Sequence, residues 1–318
     1  MAMNARTERA TEPEWAGDDQ EWWDWYMSLA VNAPLGAVSS IASPGGPPVR
    51  PATPGEVAGA LDQPYLLPDR AVERFRRRGH VRLPGVIPPA VLAALAERAG
   101  QLLGEAHGLA NPGRFLALEQ LWLTDPLLRS VALSRRLGDL AARLLGAGRV
   151  RLYHDNVLSK EPGCGRTPWH RDADHYPLDS PAVCTSWIPL HDVPTAMGPL
   201  ACLDRTAVPP VLAATPAVAE QGYDGFVAAT LRADGITPVP APYRAGEVSF
   251  HAADCFHTAG PNRTDTPRRV LSATYYADGT RVVARPTAMS GRWTDFLPGV
   301  APGGPAASPL NPVVGTLG

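Results

Sequence analysis

Residues 149–162 read RVRLYHDNVLSKEP, and here the grammar of the chain changes. Upstream, apolar residues recur at helical spacing. From Arg149 onward they fall into short β-type runs separated by Pro, Gly and Asp turns. The later runs are VCTSWIPLHDV (183–193), GPLACLD (198–204), GEVSFHAA (246–253), CFHTAG (255–260) and RRVLSATYYAD (268–278). Helices followed by many short strands predict a mainly β fold with flanking helices, a barrel or sandwich braced from outside. There is no internal repeat.

Working back from Arg149, the stretch 126–145 is helical. Leu127 and Val131 are four apart, and Leu137, Leu140 and Leu144 resume the spacing after an interruption at Ser134. PPAVLAALAERAGQLL (88–103) is a stronger amphipathic helix, opened by Pro88 and Pro89. GHVRLPGVI (79–87) reads as a short strand with Val81 and Leu83 alternating. Before it, Asp69 is placed to cap a helix whose apolar face carries Val72 and Phe75.

These elements divide the chain into an extension at 1–66, a main domain at 67–297, and a Pro/Gly-rich, irregular tail at 298–318. The extension holds a dense aromatic cluster, WWDWY at Trp22–Tyr26, followed by a Pro/Gly/Ser-rich linker to about Pro54. The aromatic residues must pack on something. Either they dock on the main body, or they form a flap beside a substrate pocket.

Composition narrows the function. The 318 residues are 45% hydrophobic and 19% charged, with a formal net charge of −2 and a pI near 6.4. Nothing in that balance favours a nucleic-acid or membrane-surface partner. Thirty-five Pro and 30 Gly count against a helical bundle. The four cysteines (Cys164, Cys184, Cys202, Cys255) form no CxxC pair and read as reduced packing residues. The first residues are acidic (Glu8, Glu12, Glu14), the reverse of a secretory signal. Asn32, Pro34 and Gly36 break the only early apolar run. The expected address is the cytoplasm, as monomer or homodimer.

Of eight histidines, which would hold a metal? TPWHRDADHY (167–176) contains His170-Arg171-Asp172. Residues two apart on an extended strand share a face, so His170 and Asp172 reach one ion while Arg171 points away. His257, at the end of CFH on a late strand, is the third candidate. Two histidines and one carboxylate make a facial triad that suits Fe(II) and leaves three positions open. Taken singly, each is an ordinary polar strand residue. His251 is six residues before His257, but the intervening AAD breaks the strand and argues against it as a ligand. His154-Asp155 and His191-Asp192 are adjacent pairs whose side chains diverge, and so are poor chelates.

These segments resemble the phytanoyl-CoA dioxygenase family of Fe(II)/2-oxoglutarate oxygenases. The likeness runs from about Leu67 to Ala277. LPDRAVERFRRRGHVRLPGVIPPAVLAALAE resembles the family's opening helix, strand and helix; WHRDADHYPLD and FHTAGPNRTDTPRRVLSATYY resemble its two metal motifs. CLDRTA departs from the Pro-Gly-Ser-His turn that members often carry after the GPL strand, which bears on the pocket rim and not on the ligands.

The resemblance implies a double-stranded β-helix (jelly-roll, cupin-like) core. It implies Fe(II) held by His170, Asp172 and His257, 2-oxoglutarate as cosubstrate and dioxygen as oxidant. It also implies that Arg268, eleven positions after His257, grips the oxoacid's distal carboxylate, with Arg269 as competitor; only one can face inward. Lys160 and Thr185 are further candidates for the cosubstrate site, Lys160 reading equally as a solvated strand end. His175, Tyr153 and Trp187 are candidates to meet a small-molecule substrate, core packing being the alternative for Trp187. Asn262 is expected to brace its turn. In related halogenases the carboxylate position is Gly or Ala, so Asp172 points to hydroxylation or another oxidation. Two other readings remain: a cupin-like metalloprotein (an isomerase or a non-oxoacid dioxygenase), and a non-catalytic binding protein on the same fold.

Overall fold

The structure is a computed structural model that describes residues 17–32, 38–40, 49–215, 221–238 and 240–317. The acidic stretch with Glu8, Glu12 and Glu14, the breakers Pro34 and Gly36, and residues 41–48 of the linker lie outside the described residues.

In chain order the helices and strands begin α1 (Asp19–Ser28), α2 (Pro54–Asp62), α3 (Asp69–Arg78), β1 (His80–Leu83), α4 (Pro89–His107) and β2 (Phe115–Glu119). Then come α5 (Pro126–Ala132), α6 (Arg135–Leu145), β3 (Arg149–Lys160), β4 (Thr167–His170), β5 (Val183–Pro189) and β6 (Leu200–Cys202). The remainder is α7 (Pro210–Ala214), α8 (Gln221–Ala233), β7 (Val248–Ala252), β8 (His257–Ala259), β9 (Arg268–Ala277), α9 (Trp293–Phe296) and β10 (Val313–Thr316).

The strands form two antiparallel sheets, a double-stranded β-helix. The larger runs β1-β7-β5-β9-β3-β10, with β2 also on β3; the smaller runs β4-β8-β6. Period two decides what each face of the large sheet does. On β5 and β9, Cys184, Ile188, Leu271, Ala273 and Tyr275 face outward and join the buried core with α2 through α6. The alternate residues face the small sheet. Register aligns them in one row: His251 opposes Thr185, Thr185 opposes Thr274, and Thr274 opposes His154. A row of polar side chains thus lies across the inner face, over a sheet whose other face is apolar.

Several expectations need correction. Asp69 is the first residue of α3 and not its cap; Pro68 stands at the cap without a side-chain hydrogen bond, and Asp69 reaches Arg143 instead. Ser134, which interrupts the apolar stripe at 126–145, is the N-cap of α6, its hydroxyl accepting from Leu137 N–H. One sequence stripe is therefore two helices, α5 and α6. Beyond the linker, Thr53 closes a capping box on α2, and Val57 and Leu61 of that helix are fully buried in the main core. The tail is not irregular throughout either. Val313–Thr316 pairs with the start of β3 as β10, and Gly138 of α6 crosses Gly315 so closely that a Cβ on either would strike the other segment's backbone.

Candidate metal centre

His170 closes β4 and His257 opens β8, and the register of the small sheet sets them opposite each other with ring centroids 4.0 Å apart. Arg171 stays extended; Asp172 then begins a 3-10 turn over Asp172–Asp174, which swings its carboxylate back toward the two rings. Asp172 Oδ1 lies 3.9 Å from His170 Nε2 and 3.6 Å from His257 Nε2. One ligand atom from each residue falls within 4.8 Å of the others, the spacing a single ion needs. Arg171 points away, onto Asp174 and the Phe256 ring.

The protonation states suit a divalent metal. His170 Nδ1 donates to Pro168 O (2.8 Å) and His257 Nδ1 to Cys255 O (2.9 Å). Each bond leaves the Nε2 lone pair facing the centre. Burial and the adjacent imidazoles push His170 well below the ordinary histidine value and His257 down to about 4. Burial alone would raise Asp172, but His257 and His251 outweigh it and hold the carboxyl well below its usual range. Two neutral imidazoles and one ionised carboxylate result.

Asp172 is itself clamped. Its Oδ2 accepts from Thr185 Oγ1 (2.6 Å) and His251 Nε2 (3.1 Å), leaving Oδ1 for the centre. His251 therefore braces Asp172, reaching from a strand of the large sheet to the turn that follows β4. Thr185, placed by sequence with the cosubstrate, touches Asp172 and Thr274.

A cavity opens from the triad toward Arg268, lined also by Trp187, Leu200 and Ser272. Arg268 is 2% exposed. Its Nη1 donates to Gly198 O (2.9 Å), while Nε has no partner among the described residues. Burial lowers its pKa to about 10, so it stays charged at neutral pH. Arg269 lies on the opposite face of β9, its guanidinium toward Gly100 of α4. A buried guanidinium with an unspent N–H, facing a cavity that contains the triad, fits a dicarboxylate that also chelates the metal. Lys160 does not share that site: its Nζ donates to Gly165, Ala259 and Gly260 carbonyls at 2.8–3.0 Å and has no N–H to spare. It ties β3 to the turn after β8. Neither is it a solvated strand end, being fully buried. Asn262 makes the expected Asx turn, accepting from Thr264 N–H.

On the other side of the triad a second cleft is walled by α1. The aromatic cluster docks and also lines this pocket. Tyr26 packs edge-on against His170 (5.6 Å) and His175 (4.9 Å), and Trp22 stacks on Tyr26 (5.0 Å). Tyr153 lines the far wall with Phe296 and Tyr176. Trp187 does not reach this cleft; it packs on Tyr243 beside Arg268. Sequence reading missed Glu119, on the unforeseen strand β2, whose Oε1 accepts from Trp23 Nε1 (2.9 Å) and whose Oε2 lies 2.9 Å from His154 Nδ1. The short apolar run Phe115–Leu118 ahead of Glu119 was the available signal.

The fold and site together define an iron(II)- and 2-oxoglutarate-dependent oxygenase that uses dioxygen, with its two metal motifs at the facing ends of β4 and β8 in a double-stranded β-helix. The sequence profile of the phytanoyl-CoA dioxygenase (PhyH) family matches residues 75–270, and the chain belongs to that family. Among proteins of curated function none matches it significantly. Among solved structures, it resembles the non-haem α-ketoglutarate-dependent carbocyclase SnoK from nogalamycin biosynthesis at 25% identity, over 85% of this chain and 100% of that one, with a TM-score of 0.65. The epimerase SnoN from the same biosynthesis, solved with Fe3+, α-ketoglutarate and nogalamycin RO, is 28% identical over 77% of this chain and 98% of its own, with a TM-score of 0.61. EctD from S. alaskensis, solved with 2-oxoglutarate and 5-hydroxyectoine, shares the fold at 15% identity, over 85% of this chain and 97% of that one, with a TM-score of 0.58. No helix among the described residues is long and apolar enough to cross a membrane.

Proposed function

We propose that the chain is an oxidative tailoring enzyme of specialised metabolism that hydroxylates an unactivated C–H of a small molecule. His170, Asp172 and His257 hold the metal, and Arg268 anchors the distal carboxylate of the oxoacid. The observation that carries the reading is the division of labour at Asp172: one oxygen is fixed by Thr185 and His251, and the other is left to share a centre with two neutral imidazoles. The bound iron and oxoacid supply the oxidising power when oxygen reacts. The chain supplies geometry: a carboxylate with one free oxygen, a cationic clamp in one cavity, and an aromatic cleft on the other side that excludes water from the reacting carbon.

The likeness to a carbocyclase and an epimerase supports a second reading, in which hydrogen removal ends in ring closure or inversion. The test is succinate release from 2-oxoglutarate with Fe(II) and oxygen, first alone and then across a metabolite panel. Stimulated turnover is expected, with a product one oxygen atom heavier. Loss of two hydrogens would point to ring closure, and unchanged mass to epimerisation. No oxoacid consumption and no iron retained would sink the oxygenase reading.

A further inference from the structure

The Thr185 hydroxyl that clamps Asp172 is itself held, by a row of contacts that crosses the large sheet. Thr185 Oγ1 donates to Asp172 Oδ2 (2.6 Å) and lies 3.0 Å from Thr274 Oγ1. Tyr176 Oη lies 2.9 Å from Thr274 Oγ1 and 3.3 Å from His154 Nε2. His154 Nδ1 ends the row against Glu119 Oε2, an ion pair of 2.9 Å that is off the line of an ideal hydrogen bond. Thr185, Thr274, His154 and Glu119 come from β5, β9, β3 and β2, and Tyr176 from the turn after Asp172.

The hydrogens in this row can be counted. Asp172 is ionised and only accepts. Thr185 spends its one hydrogen there and must accept from Thr274. Thr274 then accepts from Tyr176, a phenol that burial holds well above its ordinary pKa. Tyr176 has no hydrogen left, so His154 Nε2 donates to it. His154 Nδ1 faces a carboxylate whose other oxygen accepts from Trp23. Both ring nitrogens therefore carry hydrogen. The electrostatics agree: burial works against the charged imidazole, but Glu119 outweighs it and raises the His154 pKa. The backbone also marks this end of the row. Gln120, directly after Glu119, is the one non-glycine residue with positive φ (53°) among the described residues, and its N–H is tied to Asp155 O. Such a conformation persists only where its surroundings fix it.

We propose that His154, Tyr176 and Thr274 are positioning residues for the metal centre. The imidazolium, paired with Glu119, drives each hydroxyl of the row to donate toward Asp172. That keeps Oδ2 occupied and Oδ1 turned to the His170 and His257 imidazoles. The inference rests on the oxygenase reading in one respect, that Asp172 is a metal ligand. Hydrogen bonds in a buried row reinforce one another, and a charged donor strengthens them further. Asp172 thus feels the loss of a member that it does not touch.

Two measurements on the full chain test this. Metal-free protein carrying isotopically labelled histidine is examined by NMR at neutral pH, with His154 assigned by its loss in His154→Gln. Both ring nitrogens are expected to carry hydrogen, and Glu119→Gln to leave hydrogen on only one. A neutral His154 in the wild type would overturn the inference. Co(II), a stand-in for iron that oxygen does not attack, is then titrated by its visible spectrum. Thr274→Val keeps the shape and removes the hydroxyl; it should weaken Co(II) about tenfold, and Glu119→Gln about fivefold. Thr274→Ser should restore wild-type affinity. The two losses should not add in the double variant, since both break one row. Additive losses, or no rescue by Thr274→Ser, would mean that the hydroxyls do not act together. A wild type that binds no Co(II) refutes the metal reading and the row's purpose with it. Co(II) bound equally well by the wild type and by Thr274→Val refutes the row alone.

Discussion

His251 Nε2 stands 3.1 Å from Asp172 Oδ2, joining a strand of the large sheet to the turn that follows a strand of the small one. Burial works against its charged form, but the bond to Asp172 outweighs this and raises its pKa above the ordinary histidine value. Asp172 thus has a donor that fixes which of its oxygens faces the His170 and His257 imidazoles. Replacing His251 by Phe fills the space and removes the donor. Fe(II) affinity is expected to fall about 10- to 100-fold, the usual cost of losing such a brace. Direct Fe(II) titration reads it, and unchanged affinity would show that Thr185 alone suffices.

Arg268 has a different signature. It touches none of His170, Asp172 and His257, and its Nε is without a partner among the described residues. Arg268→Met should raise the KM for 2-oxoglutarate at least tenfold while leaving Fe(II) affinity within about twofold, since one bidentate pair is lost and the metal shell is not. The same shift in Arg269→Met, with Arg268→Met silent, would reverse the assignment.

What the chain alone made legible followed locality. His170 and Asp172 are two residues apart, close enough to be read together, although the strand ends at His170 and it is the 3-10 turn at Asp172, not extended backbone, that brings the carboxylate to the imidazole. His257 was reached as a histidine at the end of a late strand, and Arg268 through motif likeness at a fixed offset from it. His251 and Glu119 were not seen as parts of the site because their partners lie 79 and 35 positions away, on strands whose pairing only the folded sheets define. The helix break at Ser134 shows the same limit from another side. A polar residue in an apolar stripe is a flaw in one helix or the cap between two, and periodicity does not distinguish them. Lys160 was misplaced because strand position says nothing about the three carbonyls that converge on it.

The buried imidazoles make the metal-free chain sensitive to acid. His257 sits near 4 when folded, against an ordinary 6.5. Below pH 6.5 the unfolded chain takes up a proton that the folded chain refuses, so stability present at neutral pH is lost as pH falls toward 4. For His257 alone the loss is on the order of 3 kcal/mol, and His170, also lowered, adds to it. His251 and His154 are raised and oppose the trend, stabilising the fold most below the unfolded value and losing that as pH rises. Urea midpoints measured in chelator should drop between neutral pH and about 5, and more gently in His257→Asn. A flat wild-type profile would refute the burial account.

The C-terminal strand tests whether the tail belongs to the domain. Asn311 is fully buried just before it, its Nδ2 donating to Leu152 and Phe296 carbonyls, and β10 then pairs with β3 beside α6. Gly138 and Gly315 let helix and strand meet backbone to backbone, and a methyl on Gly138 would collide with the carbonyl of Val314. Neither backbone is free to retreat, since Gly138 lies inside α6 and Val314 inside a paired strand. Gly138→Ala should therefore cost roughly 1–3 kcal/mol, the price of overpacking, and release β10 before the rest of the domain. Amide exchange over 313–316 would rise while β9 stays protected. Unaltered exchange there in the Gly138→Ala variant would mean that β10 is not seated on α6 as described.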